Sequence, residues 1–303
     1  MIKINGNIFG EHLFPNKEVV YKEVELHDTV NSIRMNYEDG KDIGDLMFAV
    51  QYVKEKKPKS KVELVLNYIP YSRMDREINN QVFSLRLFAQ IVASMKVDKV
   101  YVIDPHSIVS KAEFEKAGIN LVVLESTLKE FISKAINKFN PDVMFLPDKG
   151  AYNKYLEILK DIPVAMNRPV IYGEKVRDLK NNGRIVGYDI INDKEVSLAD
   201  KKVLIIDDIC SFGGTALNAA KKLKELGVKE VGFYITHAEY CIGGGDILKT
   251  DFVDKVYTTT SLLKHSYHKG VMPSDINNEW ALNIGVAVNN GKMEIFELEK
   301  RMD

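Results

Sequence analysis

The sequence predicts an α/β protein of two tandem domains, each a parallel sheet flanked by helices. Three observations predict it. Short apolar runs alternate with stretches of helical period along most of the 303 residues. Several of those runs end on a carboxylate: "KVYVID" at Asp104, "DVMFLPD" at Asp148, "VLIIDD" at Asp207 and Asp208. The strand-then-acid theme occurs around Asp104 and again around Asp207, which divides the chain into 1–124 and 125–303. Runs apolar throughout, rather than at every second residue, suit strands covered on both faces.

The elements follow in order. "KVELVLNYI" (61–69) reads as a buried strand, and "VFSLRLFAQIVASM" (82–95) as a helix with Leu85, Phe88, Ala89 and Val92 on one stripe. "KVYVID" (99–104) is the next strand and "SIVSKAEFEKAG" leads off it. "LVVL" (121–124) is a strand, and "STLKEFISKAINKF" (126–139) an amphipathic helix with Ser126 or Thr127 as its N-cap. "DVMFLPD" (142–148) precedes the helical "YNKYLEILK". "VLIIDD" ends the central strand, and "TALNAAKKLKELG" (215–227) is a helix closed by Gly227. "EVGFYITH" (230–237) and "KVYTTTS" (255–261) are further strands. Residues 167–200 have weak periodicity and many charges, and read as a hairpin or flap.

Composition excludes several classes. A net charge of −1 offers no broad field for nucleic acid or an anionic membrane, so an anionic ligand must be met by local groups. Two cysteines without a C-x-x-C spacing make neither a disulfide framework nor a zinc site, and a reducing cytoplasm is expected. No signal peptide or membrane-length apolar run is visible.

Chemistry concentrates at "VLIIDDICSFGGT" (203–215). In open parallel sheets, ligands sit beyond the carboxyl ends of the strands, where Asp207 and Asp208 are expected. Gly213 and Gly214 allow close approach of the backbone, and Thr215 opens a helix whose free N–H groups favour an anion. Carboxylates repel phosphate but bind sugar hydroxyls, or a cation that phosphates share. An anion cradle beside two carboxylates therefore suits a phosphorylated sugar; the bland alternative is an aspartate cap at a strand end. Arg73 and Arg76 flank Asp75 after a strand, and guanidinium groups suit phosphate. A surface ion pair is the alternative there, a turn cap is the alternative for Asp148, and a packing role for His106.

"VLIIDDICSFGGT" resembles the loop that binds 5-phosphoribosyl 1-pyrophosphate (PRPP) in phosphoribosyltransferases and in ribose-phosphate pyrophosphokinases. "FPNKEV" (14–19), "YIPYSRMDR" (68–76), "VIDPHS" (102–107), "LPDKGAYNKY" (146–155) and "THAEYCIGGG" (236–245) resemble further segments of the pyrophosphokinases, in that family's order. The resemblance implies two phosphoribosyltransferase-like (Rossmann-like) domains. It implies transfer of the ATP β,γ-diphosphoryl group to O1 of ribose 5-phosphate, giving PRPP and AMP, with Mg²⁺ bridging phosphates. By the same resemblance Arg73, Asp75 and Arg76 contact ATP. Asn16 and Glu18 recognise adenine across a subunit interface, which implies a homo-oligomer. His106 contacts ATP phosphate or metal, and Asp148 lies near the ribose and the metal. Asp207 and Asp208 hold the ribose, while Ser211, Gly213, Gly214 and Thr215 hold its 5′-phosphate. Lys175 and Arg177 in "EKVRD" match a Lys-x-Arg pair on a catalytic loop, with Arg168 a competitor in register. No Walker loop G-x-x-x-x-G-K-[ST] occurs, so ATP is held by another device.

Four departures stand out. The family's usual Asp-Thr-Gly-Gly-Thr is here Ser211–Phe212–Gly213–Gly214–Thr215, which loses a carboxylate that assists ribose binding and a hydroxyl that serves the 5′-phosphate. Met74 stands for the usual Gln, and Ala151 for a second glycine. These keep two alternatives open: a phosphoribosyltransferase that consumes PRPP, and a non-catalytic synthetase-like subunit.

Overall fold

The computed structural model describes residues 1–78, 80–178, 184–192, 195–263 and 279–298. The chain divides into two units: Met1–Leu124, joined by Leu298, and Glu125–Glu297.

The first unit runs β1 (Ile2–Ile4), β2 (Asn7–Ile8), β3 (Gly10–Leu13), β4 (Val19–Tyr21), β5 (Val30–Met35), α1 (Lys41–Lys56), β6 (Lys61–Leu66), α2 (Ser84–Ser94), β7 (Lys99–Val102), α3 (Ile108–Lys116) and β8 (Leu121–Val123). Strands β5 to β8 are parallel; β1 joins β5 antiparallel and carries β2 at the edge. The predicted stripe of α2 is the one buried. It packs with Leu46, Val50 and Val53 of α1 against Ile33, Leu64 and Val100 of the sheet. The sequence reading had no element before residue 61. Strands β1 to β4 are too short to show a period of two. Helix α1 leaves Met47 and Phe48 exposed, which blurs its apolar stripe.

The second unit runs α4 (Glu125–Phe139), β9 (Val143–Leu146), α5 (Lys149–Lys160), β10 (Val170–Asp178), β11 (Arg184–Ile191), β12 (Lys202–Cys210), α6 (Gly214–Glu225), β13 (Glu230–Ala238), β14 (Lys255–Thr259), α7 (Glu279–Asn289) and β15 (Met293–Phe296). The sheet order is β11-β10-β9-β12-β13-β14-β15, and every pair is parallel except β10 with β11. The weakly periodic 167–200 region is thus mainly the β10–β11 hairpin. Apolar residues cover both faces, as continuous apolar strands require. Ala216, Ala219 and Leu223 of α6 join Val203, Ile205 and Phe233 on one face. On the other, Phe139 of α4 lies at Gly232 beside Leu204.

Two local expectations are corrected. Helix α4 begins at Glu125, so Ser126 and Thr127 lie within its first turn and do not cap it. Strand β12 does not end at the acidic pair but continues to Cys210. It pairs with β9 only from Val203 to Ile205, whereas β13 accompanies it to Cys210. Asp207 and Asp208 therefore occupy a stretch of strand that has outrun its neighbour on one side. Among the described residues no helix is long and apolar enough to cross a membrane.

Candidate functional site

Where β9 stops, an amide on the open side of β12 needs another acceptor. Asp207 supplies it: the Asp208 N–H donates to Asp207 Oδ1 at 3.0 Å. Asp208 is buried, with Lys154 of α5 at 3.7 Å from its Oδ2. Burial first, and then the negative charge of Asp208, push the Asp207 carboxyl well above its ordinary 3.8. Asp148 adds repulsion from the end of β9, where it caps α5 by accepting the Ala151 N–H at 3.0 Å. Three carboxylates thus share one strand end with Lys154 as a cationic neighbour. Such a site gains from a cation or from the hydroxyl groups of a polyol.

The loop 211–215 follows directly. Gly213 has φ +86°, and a Cβ there would meet Ile247 Cβ at 2.8 Å, so only glycine fits. It is the N-cap of α6 and offers no side-chain acceptor, which leaves the first-turn amides to a ligand. The Ser211 hydroxyl, expected to serve the phosphate, instead donates to Glu239 Oε2. Phe212 is 53% exposed and stands edge-on to Trp280, ring centroids 5.7 Å apart at 90°. Tyr240 lies 6.0 Å from the same tryptophan.

The hairpin reaches this strand end through Tyr188 of β11. Its hydroxyl donates to the Pro147 carbonyl, and burial, with the charges of Asp148 and Asp207, raises its pKa. The ring crosses Gly173, where any Cβ would collide with it. Lys175 is the strand partner of Tyr188, and Arg177 lies beyond a register shift after Val176. The side chains of Lys175 and Arg177 lie outside the described residues.

In the first unit, a second group of predicted residues converges. Asp75 is buried, and its carboxylate accepts Arg76 Nε at 2.8 Å and Ser107 Oγ at 2.9 Å. Burial alone would raise its pKa; the Arg76 and Ser107 bonds, with the charges of Arg76 and His106, outweigh that and hold it low. Arg76 and Arg73 are exposed. Asp75, Arg76 and His106 are thus brought together after β6 and β7. Asn16 and Glu18 sit in the β3–β4 turn, where Asn16 Oδ1 accepts the Glu18 N–H at 3.1 Å. His106 and Asp148, both expected near metal, belong to different units. Among the described residues no three His, Cys, Asp or Glu side chains form a group that could hold a metal ion.

Sequence reasoning missed Lys154, Tyr188, Glu239 and Trp280. Each meets the site through tertiary packing, and only the strand-end position of Glu239, one residue after "EVGFYITHA", offered a signal.

Comparison with known proteins agrees with this geometry. The family model described as "Phosphoribosyl transferase domain" matches residues 124–266. A ribose-phosphate pyrophosphokinase of Saccharolobus solfataricus is 25% identical, over 94% of this chain and 92% of its own. That of Methanobrevibacter smithii is 27% identical, over 83% and 87%. That of Sulfurisphaera tokodaii is 28% identical, over 67% of this chain and 66% of the relative. The crystal structure of phosphoribosylpyrophosphate synthetase from Mycobacterium smegmatis superposes with a TM-score of 0.65 at 16% identity, covering 95% of this chain and 85% of that one. With the carboxylates and glycine loop of the second unit, the Asp75 cluster of the first and relatives aligned across both, the chain is similar along nearly its whole length to ribose-phosphate pyrophosphokinases, at 25–28% identity to the three named, and carries a phosphoribosyl transferase domain in its second unit.

Proposed function

We propose that the protein is a ribose-phosphate diphosphokinase, which moves the ATP β,γ-diphosphoryl group to O1 of ribose 5-phosphate and yields PRPP and AMP. The observation that carries this reading is the strand end of β12, where two adjacent carboxylates lead through a glycine turn into uncapped helical amides. The carboxylates suit the ribose hydroxyls, and the amides of residues 212–215 its phosphate. In the first unit, the exposed Arg73 and Arg76 meet ATP phosphates, with Asp75 holding Arg76 in place. Asn16 and Glu18 serve adenine from a neighbouring subunit of a homo-oligomer.

Mg²⁺ is held mainly by substrate phosphates and water, with one or two carboxylates, so it needs no three-ligand cage. The raised pKa of Asp207 fits it: burial is the main cause, and the charges of Asp208 and Asp148 add repulsion that a cation would relieve. Asp148 would hold it in the second unit, where Asp207 and Asp208 hold the ribose, and His106 would meet ATP phosphate or metal in the first. When bound it neutralises charge on the transferring phosphoryl oxygens. Lys175 and Arg177, carried on the hairpin whose Tyr188 is anchored beside Asp207, stabilise the transferring group. Hairpin closure excludes water from the reaction.

Purified protein with ATP, Mg²⁺ and ribose 5-phosphate is expected to form AMP only when the sugar is present. AMP release indifferent to the sugar, or pyrophosphate release that instead requires a nucleobase and PRPP, would count against the assignment. Lys175→Ala is expected to cut kcat by roughly 10²–10³ while circular dichroism stays unchanged. Undiminished turnover would remove Lys175 from the mechanism.

A further inference from the structure

We infer that Glu239 is a positioning residue for the sugar-phosphate loop, supplying from the neighbouring strand the carboxylate that the loop itself lacks. The inference rests on the proposed sugar-phosphate site. Cys210 and Ala238 are strand partners at the ends of β12 and β13, so Ser211 and Glu239 are the next residues out, side by side. The Ser211 hydroxyl donates to Glu239 Oε2, and Cys241 Sγ approaches the same oxygen at 3.7 Å. One carboxylate oxygen therefore gathers a donor from the loop and another from the turn Tyr240–Gly244.

The carboxylate is held in place by its own backbone. The Glu239 N–H donates to the Cys210 carbonyl at 2.8 Å, and its carbonyl accepts the Ile242 N–H at 3.0 Å. Because the Ser211 hydrogen is committed to Glu239, Ser211 does not donate it to a phosphate. The loop's donors are then its amides and the Thr215 hydroxyl, and their placement depends on how firmly Ser211 is anchored. A carboxylate at position 211 would face Glu239 directly and repel it.

The test is a double-mutant cycle on the full chain, read by steady-state kinetics and by calorimetric binding of ribose 5-phosphate. Glu239→Ala is expected to raise the KM and Kd for ribose 5-phosphate about tenfold, with kcat and the KM for ATP within about threefold. Glu239→Gln, which keeps an acceptor for Ser211, stays within about threefold of wild type. Ser211→Asp alone weakens sugar-phosphate binding at least about tenfold, and adding Glu239→Gln restores most of that loss. Equal losses from Ser211→Asp with and without Glu239→Gln would overturn the proposal, as would a Glu239→Ala protein that binds normally. If Glu239→Ala unfolds, the cycle of Glu239→Gln with Ser211→Asp decides alone. A chain that binds ribose 5-phosphate with the predicted coupling, yet makes no AMP, keeps this inference and defeats the diphosphokinase reading. A wild-type chain that does not bind the sugar phosphate defeats both.

Discussion

The Asp207 carboxylate accepts an amide that β9 has abandoned, and it does so beside Asp208 and Asp148. Its folded pKa is therefore raised, chiefly by burial. Between the ordinary value of 3.8 and that raised value, the folded chain retains a proton that the unfolded chain has released. Stability contributed by this group is thus full below 3.8 and is lost as pH rises through the raised value. Asp207→Asn keeps an acceptor for the Asp208 amide and removes the charge. It is expected to raise Tm at pH 7, with the difference from wild type closing towards pH 3, while ribose 5-phosphate binding falls at least about tenfold. A lower Tm at neutral pH in thermal unfolding would contradict this account. The position of the acidic pair was legible in the sequence, as two carboxylates late in a continuous apolar strand. Glu239 was not, because its relation to Ser211 exists only once β12 and β13 are in register. The commitment of the Ser211 hydroxyl was hidden for the same reason.

At the scale of elements, the anion loop is buttressed by aromatic packing. Phe212 leans edge-on against Trp280, the chain's one tryptophan, and Tyr240 flanks it. If the proposed site takes an anion at the 212 amide, Phe212 is expected to shift against that indole. Ribose 5-phosphate alone is expected to change tryptophan emission saturably, and Phe212→Ala to abolish the change. Constant emission during calorimetrically verified binding would show that the ring pair does not sense the loop. The long elements around this loop were legible because their periods are clean: β12, β13, α2 and α6 appear where the apolar pattern puts them, within a few residues. The strand ran past its acids because pairing with β13 continues there, a tertiary effect that no local pattern reports. The hairpin was legible as irregular and charged. The need for Gly173 emerged only with the Tyr188 ring that crosses it.

Over the whole molecule, the repeated strand-then-acid theme corresponds to two parallel sheets, each extended by an antiparallel strand at one edge or beyond it. That much was readable, since buried parallel strands leave continuous apolar runs. The antiparallel additions β1 and β2 were not, being brief and partly polar. Nor was the return of Leu298, fully buried, to the first unit after β15 has completed the second. That return makes the polypeptide pass between the units twice, once at Leu124 and once at Glu297. Leu298→Asp is therefore expected to lower the midpoint of thermal unfolding, since a carboxylate there would lose its water without gaining a partner; an unchanged midpoint would show that the tail adds nothing to the first unit's stability.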